Sequence, residues 1–281
     1  MGFDFRTFWE AARALLSGIS PYTIHDFISP LPFAWLMAPF GLLPYAWAYG
    51  LWTLLNLAAL VRLAGRRAPQ LLLFLPVLFA LWVGQVDLLM LAAGLTGGWV
   101  GLAFTTLKPQ LAIWLIPWVG YGWWRSGQRR KLLYTLGGAA VLYGLPYLVQ
   151  PQAWQQWRIA SNASGSLVGY AEHSASFFGL AALLPISPTL SVTLIAAVGA
   201  AAALWLRPLQ AQRFWPFMAL FNPISNIYSQ CVLHPLVDWP AVLLSWLMLP
   251  LSLYLHTGLP WVVVPLYLLW KNRKTAANPP G

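Results

Sequence analysis

The sequence predicts an all-α, polytopic integral membrane protein, and three observations carry that prediction. Of 281 residues, 59% are hydrophobic and only 8% are charged, against about 25% charged in a soluble domain. So few charges could not cover a water-facing surface. The net charge of +10 is gathered into Arg62/Arg66/Arg67, Arg125/Arg129/Arg130/Lys131, Arg207/Arg213 and Lys271/Arg273/Lys274. Apolar runs separate these clusters, the pattern of cytoplasmic loops between spans. The chain also holds 18 Trp and 23 Pro; Trp suits membrane interfaces, and Pro is tolerated in spanning helices. Nucleic-acid binding is not expected, because no basic face with aromatic or polar readers is present. The single cysteine, Cys231, forms no internal disulfide. No cleavable signal peptide is predicted, since Asp4-Phe5-Arg6 stands where a basic region and an apolar core would begin.

The elements follow in order. In residues 5–17, Phe5, Phe8, Trp9, Ala12, Leu15 and Leu16 recur on one side of a helix, with Arg6, Glu10 and Arg13 elsewhere. Gly18 is placed to end it. Such a helix lies in the interface plane. SPLPFAWLMAPFGLLPYAW (29–47) is Pro-broken and reads as a loop dipping into the external leaflet. Residues 45–63 run inward to Arg66-Arg67. Residues 69–83 form one crossing, and 85–124 hold three shorter pieces broken at Gly94–Gly98 and at Lys108-Pro109. Those pieces are short against the ~20 residues of a full span. Broken helices at membrane depth occur only where protein covers them or a wet cavity lies beside them.

Residues 132–149 cross outward. Residues 150–187 form an external loop with an interfacial helix, and 188–206 return to Arg207. FWPFMALF (214–221) goes out, NPISNIYS (222–229) is a break, CVLHPLV (231–237) goes in, 239–256 goes out and 259–270 returns. The total is about eleven crossings, with the amino end outside and the carboxyl end inside. The chain is read as one transmembrane domain: 1–44 external, 45–149 and 188–270 membrane helices, 150–187 external, 271–281 a cytoplasmic tail.

Asp4 opens a short helix and is followed by LLSGISPY (15–22) and a Pro-rich segment ending in APFGLLP (38–44) before a Trp-containing span. GQVDLLML (84–91) starts a helix with Gly-Gln, GLAFTTLKPQL (101–111) ends a Gly-rich helix in Lys-Pro, and NPISNIYSQCVLHPL (222–236) breaks before a Leu-rich helix. In this order, over most of residues 3–237, the set resembles the family 87 glycosyltransferases. These are polyprenol-phosphate-mannose-dependent mannosyltransferases of the GT-C superfamily. The resemblance implies a GT-C-like helical bundle. It also implies that a spanning helix precedes the Asp, so the chain starts where the first external loop would. Where the family's late break commonly carries a His or Asp, this chain reads Asn226-Ile227-Tyr228-Ser229. Either Tyr228 or a nearby polar group substitutes there, or activity is altered.

Transfer from a lipid-phosphate sugar to a hydroxyl needs a base near the acceptor, cations for the leaving phosphate and a groove open to lipid. Asp4 is the base candidate; as a first-turn acid it would also serve simply to complement the helix dipole. Lys108, between two apolar pieces and before Pro109, is the cation for the carrier phosphate, and a Lys that merely snorkels is the bland alternative; Arg6, near Asp4, either pairs with it or joins the phosphate site. Asp87 lies within the membrane reading and needs a partner. Tyr22, Gln85, Asp87, His173 and Tyr228 form a second tier of substrate-binding candidates. Glu10 is read as a solvated face, and Asp26, Glu172 and Asp238 as loop or interface residues. His25, His173, His234 and His256 are scattered, so no metal site is expected, and no cofactor is expected. Asn162-Ala163-Ser164 fits a glycosylation sequon and is taken as chance. Trp9, Trp154 and Trp157 are read as interfacial anchors.

Three functions accommodate these residues. The first is a membrane glycosyltransferase moving mannose or a related sugar from a polyprenyl-phosphate donor to a glycan or glycolipid acceptor, outside a bacterial plasma membrane. The second is a non-catalytic subunit of a membrane complex on a shortened glycosyltransferase scaffold. The third is a transporter of lipid-linked sugars, which would show paired broken helices related by symmetry.

Overall fold

The computed structural model describes residues 1–163, 173–206 and 210–277. Among them the regular structure is helical throughout, with no strand. Among the described residues two helical stretches, Tyr45–Leu72 and Arg129–Val149, are long and apolar enough to cross a membrane. The pair Leu75–Val83 and Asp87–Thr96, bent by 109°, makes a third if counted as one span. Other apolar helices are shorter. Helix length therefore accounts for two or three spans, whereas the larger number expected above rests on charge pattern.

The chain forms two compact units. The first, Met1–Arg62 with Leu81–Ser166, contains α1 (Phe3–Leu16), α2 (Leu31–Gly41), α3 (Tyr45–Ala64, which ends just past it), α6 (Asp87–Thr96), α7 (Gly98–Phe104), α8 (Pro109–Arg125), α9 (Arg129–Val149) and α10 (Ala153–Ala163). Helix α1 buries Phe5, Phe8, Ala11 and Ala12; of the face its periodicity picks out, Trp9 and Leu15 are half-buried and Leu16 is exposed. It packs on α2, with the Phe8 and Phe33 rings edge to face at 4.8 Å. Its end is a Schellman turn: Gly18 has φ 72°, its N–H bonds Leu15 O, and Ile19 N–H bonds Ala14 O. Helix α10 joins the same face, where Ser20 Oγ donates to Gln156 Oε1 at 2.6 Å and Trp157 Nε1 donates to Ile28 O at 2.9 Å.

Three expectations are corrected. Residues 29–47 are not a loop: α2 runs through them, because Pro32 falls in its first turn, where the missing N–H costs nothing. Residues 69–83 are not one crossing. The helix breaks into α4 (Ala68–Leu72) and α5 (Leu75–Val83), because Pro76 cannot continue a helix from the preceding turn. CVLHPLV is not a span either; a 3-10 helix, Ile227–Leu233, ends within it and a turn follows at 234–236. The expected loop at 150–187 lies partly outside the described residues, as do Glu172, Arg207 and Ser164 of the sequon.

The second unit, Leu63–Ala80 with Leu167–Gly281, contains α4, most of α5, α11 (Pro188–Leu206), α12 (Ala211–Phe221), α13 (Trp239–Leu255) and α14 (Val263–Ala277). Its breaks are satisfied by side chains. Ser245 Oγ accepts from Leu75 N at 3.2 Å, and Trp246 Nε1 donates to Leu73 O at 2.8 Å. Gln230 Nε2 donates to both Ala175 O and Trp261 O at 2.9 Å. Asp238 caps α13 through Ala241 N and pairs with Lys271.

The break that matters for the site follows α5. Helix ends leave carbonyls without partners, and in an apolar setting each must find one. Tyr49 Oη donates to Leu81 O and Trp82 O at 3.1 and 3.0 Å, Trp52 Nε1 donates to Gly84 O at 2.9 Å, and Gly2 N donates to Trp82 O at 2.8 Å. This seats the amino end of α1 on the turn at 82–84. Gly84 has φ 77°, and a Cβ there would meet Phe5 Cβ at 2.5 Å. Gly84→Ala is therefore expected to destabilise the chain by about 1–3 kcal/mol, read as a lowered melting midpoint in detergent. An unchanged midpoint would contradict this seating of α1.

Candidate functional site

The breaks at 84–86, before α6, and at 105–108, before α8, both lie in the first unit and face each other. Pro109 bars a helical conformation at Lys108, which takes φ −123° and ψ 83° and caps α8. Thr105 and Thr106 hydroxyls bond back to Leu102 O and Ala103 O, each at 2.6 Å, and Tyr143 Oη donates to Thr106 O at 2.6 Å. These contacts fix the approach to Lys108. On the other side Asp87 opens α6, where a carboxylate complements the helix dipole.

Lys108 and Asp87 form an ion pair. Asp87 is fully buried and Lys108 is 6% exposed. Lys108 Nζ also donates to Gln85 Oε1 at 3.2 Å. Gln85 Nε2 donates to Asp4 Oδ2. A hydrogen-bonded chain thus runs Asp87–Lys108–Gln85–Asp4, joining residues that are far apart in sequence. Asp4, at the outer end, is half-buried. Burial pushes its carboxyl above the ordinary Asp value; the Gln85 bond and the Lys108 charge pull it down, while the Asp87 and Asp26 charges push it up. The net direction is upward, so Asp4 holds a proton more tightly than a free carboxylate does.

The other expected residues fall as follows. Arg6 bonds Glu10 at 2.9 Å, its side chain 70% exposed, and is not paired with Asp4. Tyr22 Oη donates to Ser29 O at 3.3 Å, and its ring lies against Phe27. His25 and Asp26 pair at 2.7 Å on the surface. His173 and Tyr228 belong to the second unit. His173 is exposed; the Tyr228 ring stacks on Phe79, and its hydroxyl accepts from Asn226 Nδ2 at 2.6 Å. The first unit also carries an apolar groove of about 400 Å³ between α2, α7 and α9, lined by Trp35, Leu36, Trp99, Phe104, Leu142 and Leu145 among others. The sequence reading did not locate this groove, because its wall comes from three helices that are distant in the chain.

Breaking a buried ion pair from one side leaves an uncompensated charge, which costs about 3–5 kcal/mol. Lys108→Met is expected to lower stability by that order. Lys108→Met combined with Asp87→Leu should recover most of the loss, measured as melting midpoints of the purified chain. Equal midpoints for Lys108→Met and the unaltered chain would contradict the pair.

The model of glycosyltransferase family 87 matches residues 27–225. Gln85, Asp87 and Lys108 lie within the match, and Asp4 and Tyr228 lie outside it. No curated protein and no solved structure matches the chain. With most of its length matched by that family, and with apolar helices able to span a bilayer, the chain belongs to glycosyltransferase family 87.

Proposed function

We propose that this membrane glycosyltransferase moves a sugar, mannose or a related one, from a polyprenyl-phosphate donor to a glycan or glycolipid acceptor. In this reading the site opens on the external face of a bacterial plasma membrane, the carboxyl end is cytoplasmic, and charge pattern gives about eleven crossings. Asp4 is the general base. Its carboxylate takes the proton of the acceptor hydroxyl as that oxygen attacks the sugar C1. The C1–O bond to phosphate breaks with inversion, and polyprenyl phosphate leaves with the bonding pair. Lys108, with Arg6, supplies positive charge to the departing phosphate. Lys108 is already answered by Asp87 and Arg6 by Glu10, so phosphate binding competes with both pairs. Tyr22, Gln85, Asp87, His173 and Tyr228 are the further candidates for contact with substrate.

One observation carries this reading: a half-buried carboxylate, Asp4, is hydrogen-bonded into a network anchored by a buried Lys. The apolar groove supports it, because an isoprenoid tail is apolar and flexible enough to follow a wall of Trp, Phe and Leu.

The test is sugar transfer from radiolabelled polyprenyl-phosphate mannose by membranes carrying the chain. Asp4→Asn at equal expression is expected to reduce transfer by at least ~100-fold. The rate should fall as pH drops through the Asp4 midpoint, because only the ionised carboxylate accepts a proton. Since burial raises that midpoint, the acid limb should lie above the ordinary carboxylate range. Undiminished transfer by Asp4→Asn would remove Asp4 from the base role.

A further inference from the structure

The chain from Asp87 to Asp4 contains one group that is neither acid nor base. Lysine ammonium only donates hydrogen bonds, and an ionised carboxylate only accepts them. A side chain placed between them must accept on one end and donate on the other, and a primary amide does both. Gln85 is buried, and its orientation is fixed from two sides: Oε1 accepts from Lys108 Nζ at 3.2 Å and from Val86 N at 3.4 Å. Turning the amide over would set its NH₂ against two donors and its oxygen against a carboxylate. The donor end is therefore aimed at Asp4 Oδ2. Among the described residues this is the side-chain hydrogen bond that Asp4 receives.

We infer that Gln85 is a positioning residue: Lys108 sets its amide, and the amide holds the Asp4 carboxylate by Oδ2 so that Oδ1 takes the acceptor proton. This rests on Asp4 being the base, and it gives Lys108 and Asp87 a role at the base as well as in the fold. The charges bearing on Asp4 are Lys108, Asp87 and Asp26. On its own helix, Arg6 and Glu10 answer each other. The Tyr45 and Tyr49 hydroxyls nearby bond backbone carbonyls, and His25 pairs with Asp26.

The experiment follows the Asp4 carboxyl itself, so it does not depend on the donor sugar. The chain holds six acidic residues, of which Asp4, Asp26, Asp87 and Asp238 are Asp. Labelling Asp with ¹³C at the side-chain carboxyl gives a small set of resonances, and Asp4 is the one lost in Asp4→Asn. Its titration midpoint is compared in the unaltered chain, Gln85→Glu and Gln85→Met, each checked for an unchanged melting midpoint. Gln85→Glu keeps an acceptor for Lys108 and Val86 but turns a carboxylate toward Asp4. Its Asp4 midpoint is expected to rise by about one pH unit or more. Gln85→Met removes the donor to Asp4 together with the acceptor for Lys108 and Val86, adds no charge, and should raise the midpoint by less. If either variant does not fold, the other still decides. An Asp4 midpoint equal to that of the unaltered chain would overturn the inference, because a side chain that merely fills space would not move it. Transfer assays on the same preparations separate the two ideas. Normal transfer by Asp4→Asn sinks the base reading whatever the titration shows. Lost transfer by Asp4→Asn with unmoved midpoints sinks only the role of Gln85.

Discussion

The ion pair between Lys108 and Asp87 is the constraint on which the candidate site depends. Both groups are buried in a unit built largely of Leu, Phe, Trp and Ala. Neither charge is tolerable there without the other, so the two breaks that carry them must meet. That requirement brings the start of α6 against the start of α8. It sets the end of α7 as well, where Thr105, Thr106 and Tyr143 satisfy the backbone that leads into Lys108. Removing water from the pair also lowers the local dielectric, so each further hydrogen bond counts for more.

The rest of the site is built outward from that pair. Gly84 lets the chain turn between α5 and α6 and lets Phe5 approach closely. Trp52 and Tyr49 of α3 satisfy the carbonyls that the turn leaves open. Gly2 bonds to the same turn, and α1 then delivers Asp4 to the Gln85 amide. Exposure rises along this path, from a buried ion pair through a buried amide to a half-buried carboxylate. A glycine turn and a helix start thereby become a place where the Asp4 carboxylate is held by the Gln85 amide.

Part of this was legible in the sequence. Gly94–Gly98 and Lys108-Pro109 mark breaks because Gly admits positive φ and Pro disfavours a helix at the residue before it; α6 ends at Thr96 and α7 starts at Gly98, which has φ 61°, and α8 starts at Pro109. Asp87 within an apolar run demanded a partner. The partner was not readable, since the Lys108 contact depends on how α6 and α7 fold back on each other. Gln85 meeting Asp4 was less readable still, because residues 81 apart in sequence meet only through the seating of α1. Proline misled the reading at 29–47, where density of Pro suggested a loop. Position within the helix, not number, decides the effect: Pro32 sits in a first turn and starts α2. The segment after Asn226 misled in the opposite way, because its apolar run has the composition of a span and the geometry of a short 3-10 helix.

The central claim is that Asp4 acts as a proton acceptor in a confined site, and chemical rescue tests it most directly. Asp4→Gly opens a space where the carboxylate stood. Added formate should restore transfer to this variant, in proportion to formate concentration and only while formate is ionised, and should leave the unaltered chain unaffected. Transfer by Asp4→Gly at the unaltered rate without formate would contradict the account.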